Sequence, residues 1–238
     1  MKLTLFAVLL VVATVANAQQ QPYQIPNAQS QVVDFFGSST ALYAYAAAVA
    51  NLPNISTATF KVQYLLSTRC SQLQQFVPSI PQNTTVIFVE GVGIVDVENR
   101  ADGTRPSTPV GQFMACVQQL TTNMIARTNP NVLILWTDVN PMNIHATNMN
   151  GNAGPYTDPR ATLASYNAAL TDPNTGLVAQ FPNNVRMVLL HDLLTDTDGF
   201  GMNNLVSWTD PLTPAWPIIF QQSIGVGLYG WIAQGSFQ

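Results

Sequence analysis

Short runs of consecutive apolar residues, each followed by a helical pattern, constrain this chain more than any other feature. In "TTVIFVEGVG" and "NVLILW" nearly every residue is apolar, the signature of strands buried on both faces. Such strands need a helical layer on each side, so the pattern predicts a parallel sheet inside an α/β/α sandwich. The alternation runs through the chain. "QVVDFF" (Gln31 to Phe36) reads as the first strand, followed by "GSST" and the Ala-rich helical stretch "ALYAYAAAVANL". "TATFKVQYLL" alternates as the second strand and leads into "SQLQQFV", a short helix closed by Pro78. After the apolar third strand and the polar loop "VENRADGTRPST", a helix is predicted from about Pro109 to Thr128. Phe113, Val117, Leu120 and Met124 share one of its faces. "NVLILW" is the fourth strand, "MNIHATNMNGNAGPYTDP" a long loop, "RATLASYNAAL" and "GLVAQF" are helical, and "VRMVLL" is the fifth strand. "PIIFQQSIGVGLYGWIAQ" reads as a closing helix.

Open parallel sheets bind ligands at the carboxyl ends of their strands. That directs attention to "GSST", "STRC", "GVGIVD", "TDVN" and "HDLL", which follow the five predicted strands.

The chain opens with Met1-Lys2, the apolar run "LTLFAVLLVVATVA" and the small-residue site "ANAQQQ", a pattern read as a secretory signal peptide cut after Ala18. Residues 19–29 then form an N-terminal tail and residues 30–238 one domain. With Asp, Glu, Lys and Arg at 8% of residues, and Lys61 the only lysine after cleavage, there is no basic stripe for a phosphate backbone. No nucleic-acid partner and no membrane span in the mature chain are expected. The sequons at Asn54 and Asn83 fit a glycosylated extracellular protein. In an oxidising compartment Cys70 and Cys116 are expected to form a bridge. No His/Cys/Asp cluster has ligand spacing, so neither a metal nor another cofactor is expected.

The order of these pieces resembles the SGNH or GDSL hydrolases, esterases and lipases with a flavodoxin-like three-layer α/β/α sandwich about a five-stranded parallel sheet. The family's first block ends a strand in Gly-Asp-Ser. "DFFGSST" keeps the Gly and Ser, which makes Ser39 the nucleophile that the resemblance implies. The second block's Gly is absent from "LLSTRCSQL". In "EGVGIVD" the third block's Gly is matched by Gly91, while Gly93 stands where the family has Asn and Ile94 where it has Asp. The resemblance thus implies an oxyanion pocket built from Ser39, Gly91 and Gly93. The last block, Asp-x-x-His before Pro, is matched by Asp210-Pro211-Leu212-Thr213-Pro214 in everything but the base.

A serine esterase needs an imidazole to take the nucleophile's proton and return it to the leaving group. The hydroxyl of Thr213 cannot hold that proton near neutral pH. Gly93 also lacks a side-chain amide, so two parts of the machinery are thinned. His191 and His145 both follow predicted strands and are the possible substitutes for the base. Glu90, Asp96 and Glu98 read as solvated or capping carboxylates. Trp136, Tyr156 and Trp208 are candidates for an aromatic cleft or for the core. "WTDPLTPAW" also reads simply as a proline-stiffened loop, with Asp210 capping a turn and Pro214 starting the last helix. Three readings result. The first is a catalytically impaired secreted protein that binds an extracellular carbohydrate or acyl-ester ligand. The second is an active but atypical carboxylic-ester hydrolase using Ser39, and the third a purely structural extracellular protein.

Overall fold

The computed structural model describes residues 23–24, 32–38, 40–42, 44–46, 59–66, 68–97, 106–140, 160–189, 191, 208–210, 213–214 and 236–237. The strands β1 (Val32–Gly37), β2 (Thr59–Tyr64), β3 (Val86–Glu90), β4 (Leu133–Thr137) and β5 (Val185–Val188) form one five-stranded sheet in the order β2-β1-β3-β4-β5. Every neighbouring pair is parallel. The chain first steps outward from β1 to β2, then returns to the other side of β1 and proceeds through β3 to β5. The direction of winding therefore reverses between β1 and β3, and in sheets of this topology ligands bind at the carboxyl ends of the strands at such a reversal.

Strand periodicity divides the side chains between two faces. Phe36, Ile87, Val89, Ile134 and Trp136 point into the larger core cluster. There they meet Phe113, Val117, Leu120 and Met124 of α3 (Val110–Arg127) and Leu163, Tyr166 and Leu170 of α4 (Arg160–Thr171). The apolar face read from the α3 sequence is the face it buries. Each such side chain, fully removed from water, contributes about 1.5–3 kcal/mol. On the opposite face Phe35 packs on Phe88 at 5.3 Å and edge-on to Tyr45 at 6.0 Å, inside the helical segment that follows β1. Helical residues thus cover both faces, as the continuous apolar runs require.

Details depart from the sequence reading. The stretch expected to be one short helix is a single turn, α1 (Cys70–Leu73), followed by a 3₁₀ segment (Gln74–Ser79) that contains Pro78 rather than stopping at it. Trp136 is a core residue of β4, 1% exposed. Pro214 pairs with Trp208 in a short antiparallel ribbon, not in a helix start. Backbone residues Tyr23–Gln24, within the expected tail, pair with Ser236–Phe237. The expected signal peptide and the expected closing helix fall on residues outside the described ones.

Cys70 and Cys116 are bonded, joining α1 to α3 across a separation of 46 residues. Constraining a loop of that size contributes about 4 kcal/mol in the chain-entropy view. Asp96, in α2 (Ile94–Val97), is buried rather than solvated. Its carboxylate accepts the Cys70 amide at 2.8 Å and the Thr108 hydroxyl at 2.8 Å, so it caps α1 from a distance. Tyr166 donates to the Thr108 carbonyl and stacks on Phe113 at 4.2 Å, which ties α4 to this assembly.

Candidate functional site

At the winding reversal the main chains approach closely. Gly37 ends β1 at φ +151°, and a Cβ there would lie 1.8 Å from the Glu90 carbonyl oxygen. Only glycine lets β1 run this near to β3. The next residue, Ser38, donates its amide to that same carbonyl at 3.1 Å. The Ser38 and Thr40 hydroxyls, both buried, are 2.9 Å apart. Gly91, at φ +71°, lies against them: a Cβ at Gly91 would come within 1.9 Å of Thr40 Oγ1 and 2.1 Å of Ser38 Oγ. Ser39 itself lies outside the described residues, but both of its neighbours are held against the end of β3.

Glu90 is the centre of this arrangement. It is fully buried, and Asn140, beyond β4, donates its side-chain amide to Glu90 Oε1 at 2.5 Å. Burial raises the Glu90 pKa to about 7. The Thr40 hydroxyl and the Asn140 amide oppose that rise, and the charge of Asp138 adds to it. Glu90 Oε2 and Asn140 Oδ1 are both buried with no hydrogen-bond partner. Asp138, also buried, accepts the backbone amide of His191 on both carboxylate oxygens, at 3.0 and 3.2 Å. Between Asp138 and Asn140, the main chain of Val139 is held by the Asn167 side chain, which accepts from its amide at 2.8 Å and donates to its carbonyl at 3.1 Å. A buried polar chain therefore runs along the carboxyl edge from the end of β1 to the end of β5.

Only part of this was anticipated. The strand-end rule pointed at "GSST", "GVGIVD", "TDVN" and "HDLL", and these stretches supply the chain of contacts. Glu90, however, is neither solvated nor capping, and Ser38, Thr40 and Asn140 had no role assigned. The available signal was a carboxylate closing an otherwise apolar strand, beside a polar stretch after the neighbouring strand.

The expected site residues fare differently. Gly93, at φ +99°, has no room for a side chain, because a Cβ would lie 2.8 Å from Val139 Cγ2 and 2.9 Å from Phe113 Cζ. Asp210 and Thr213 are opposite one another in the register of the short antiparallel ribbon. His191 follows β5, three strands from β1. At about 4.8 Å per strand, that separates the two strand ends by about 14 Å. Asn83 is exposed in the turn before β3. His145, Asn54, Glu98 and Tyr156 lie outside the described residues. Among the described residues no three His, Cys, Asp or Glu side chains group as metal ligands, and no helix is long and apolar enough to cross a membrane.

No protein-family model and no curated protein sequence matches the chain. Solved structures do. A GDSL-like lipase from Bacteroides thetaiotaomicron superposes with a TM-score of 0.59 at 13% identity, covering 85% of this chain and 91% of that one. A protein of Bacteroides fragilis assigned as an acylhydrolase gives 0.59 at 15% identity, over 89% and 93% of the two chains. A protein of Parabacteroides merdae assigned as a GDSL-like lipase gives 0.56 at 10%, over 89% and 99%. At these identities the likeness establishes the fold: a three-layer α/β/α sandwich of the SGNH/GDSL hydrolase type.

Proposed function

We propose that this SGNH-fold chain is a secreted protein impaired in ester hydrolysis, which binds an extracellular carbohydrate or acyl-ester ligand at the carboxyl edge of the sheet, near the ends of β1 and β3. The observation that carries this reading is the closed space at Gly93. The position that would carry an oxyanion-holding side-chain amide is packed by Val139 and Phe113, and its backbone is one that L side chains rarely adopt. Thr213 in the base position is a second, independent defect. An oxyanion donor alone accounts for about 3–4 kcal/mol of barrier lowering, and the base is indispensable to the triad. The structural neighbours support an ester-bearing ligand by the names they carry. The strand order weighs against a direct Ser39-His191 pair, since β1 and β5 are not neighbours.

The active alternative has one observation in its favour: His191 does lie at the carboxyl edge, beside Asp138. Hydrolysis of short acyl p-nitrophenyl esters decides between the two. The proposal expects turnover near background and unchanged in Ser39→Ala, together with saturable binding of acylated or plain glycans to the intact protein. Robust hydrolysis that Ser39→Ala abolishes would overturn it.

A further inference from the structure

We propose that Asn83 is a modification site that folding closes: an N-glycan is attached there while the chain is still unfolded, and the folded protein is no longer an acceptor. From the preceding reading the proposal takes only the secretory route, and it adds the order of two events on that route.

The sequon Asn83-Thr84-Thr85 stands in the turn before β3, at the amino ends of the strands. N-glycosylation needs more than an exposed asparagine. The transferase also reads the hydroxyl two residues on, and the segment must enter its active site as free chain. Asn83 is exposed, but the rest of the sequon is not free. The Thr85 hydroxyl accepts the Val32 amide at 3.0 Å and donates to the Val32 carbonyl at 3.2 Å. The Thr85 amide donates to that same carbonyl at 2.9 Å, and the Thr85 carbonyl accepts the Leu133 amide at 3.0 Å. Thr84 is fully buried. Its amide donates to the Pro81 carbonyl at 3.0 Å, and its carbonyl accepts the Asn129 side-chain amide at 3.1 Å. Presenting Thr85 to an enzyme therefore means parting the start of β3 from both β1 and β4, in the middle of the sheet.

The same contacts say when the site closes. Val32 precedes the sequon, whereas Asn129 and Leu133 follow it, and Asn129 lies 45 positions beyond Thr84. At about 5–20 residues per second of synthesis, the covering segment arrives about 2–9 s after the sequon. A glycan attached in that interval leaves the fold intact, because Asn83 is exposed in it. It also leaves the carboxyl edge uncovered, at the other end of the strands. In the transfer the Asn83 amide nitrogen attacks the anomeric carbon of a lipid diphosphate-linked oligosaccharide. The N–C bond forms as the anomeric C–O bond breaks, the nitrogen gives up a proton to the transferase, and the lipid diphosphate leaves.

The test compares acceptors in vitro and involves no ligand, so failure of the binding reading leaves it standing. The mature chain, produced with its disulfide but without glycan in a bacterial host, is offered to a eukaryotic oligosaccharyltransferase with a lipid diphosphate-linked oligosaccharide. Glycopeptide mass spectrometry measures transfer to Asn83. Two unfolded forms are offered alongside, one with Cys70 and Cys116 reduced and alkylated, the other Phe113→Asp, which puts a charge into the core. Circular dichroism checks that both are unfolded. Transfer to Asn83 is expected in both unfolded forms and at least about a hundredfold more slowly in the folded protein, which populates unfolded chain only rarely. A smaller difference overturns the proposal, and so does the absence of transfer to the unfolded chains.

Discussion

The side-chain amide of Asn140 donates to Glu90 Oε1 at 2.5 Å and so joins, inside the protein, the segments that leave two neighbouring parallel strands. Among the described residues Asn140 is the one side-chain amide that reaches this buried carboxyl group, and it favours the charged form. Replacing Asn140 with Leu should therefore cost more at pH 8 than at pH 5. A loss of about 1–3 kcal/mol at the higher pH is expected, read from urea denaturation, with Glu90 titrating still further up. An equal loss at both pH values would mean that Asn140 acts only through packing.

Asp34 behaves similarly at a second place. It is buried in β1, and desolvation raises its pKa to about 7 against the opposing effects of Gln63 and Lys61 on β2. For an acid whose folded pKa is raised, the stabilisation is fully present below its unfolded pKa and is lost as pH rises through the folded value. Thermal stability should accordingly decline as pH rises from about 5 to 8. Asp34→Asn should recover about 1–3 kcal/mol at pH 8 and nothing at pH 4, measured by scanning calorimetry.

Restoring the family's side chain at position 93 should not help catalysis. Gly93→Asn places atoms where Val139 and Phe113 already stand and imposes a strained backbone, so a destabilisation of about 2–4 kcal/mol is expected. Ester hydrolysis should not rise. A folded variant with faster turnover would show that the pocket repacks.

Thr213→His tests whether the ribbon is the remnant of a catalytic loop. Asp210 is opposite Thr213 in the register of the ribbon, so the substitution puts an imidazole at the position paired with the acid that the family resemblance implies. Triad members act as a unit, so a gain of up to about a thousandfold over the parent is expected, abolished by adding Ser39→Ala. No gain in a variant that is folded by circular dichroism would leave the ribbon a structural feature.

Reduction and glycan analysis test the extracellular assignment. Cys70→Ser with Cys116→Ser should cost about 3–4 kcal/mol through the lost cross-link. Protein secreted from a eukaryotic host should contain no free thiol and should lose mass at Asn54 and Asn83 on glycosidase treatment. An unshifted mass would remove the glycoprotein reading.

The sheet was legible in the sequence because burial on both faces demands unbroken apolar runs such as "VIFV" and "VLILW", and such runs have few other ways to fold. The α3 face was legible because helical spacing alone brings Phe113, Val117, Leu120 and Met124 onto one side. The cysteine pair followed from the expected compartment. The candidate site was legible only as a set of strand ends. That Glu90 is buried, that Asn140 reaches it from a segment 50 positions away in sequence, and that both neighbours of Ser39 are fastened to it depend on which strands are adjacent. The closure of Gly93 depends likewise on Val139 and Phe113, which come from elsewhere in the chain. Periodicity records how each segment divides between core and solvent, a local property. Which polar groups end up sharing one dry site, and what that does to their protons, is set by contacts between segments that local pattern does not encode.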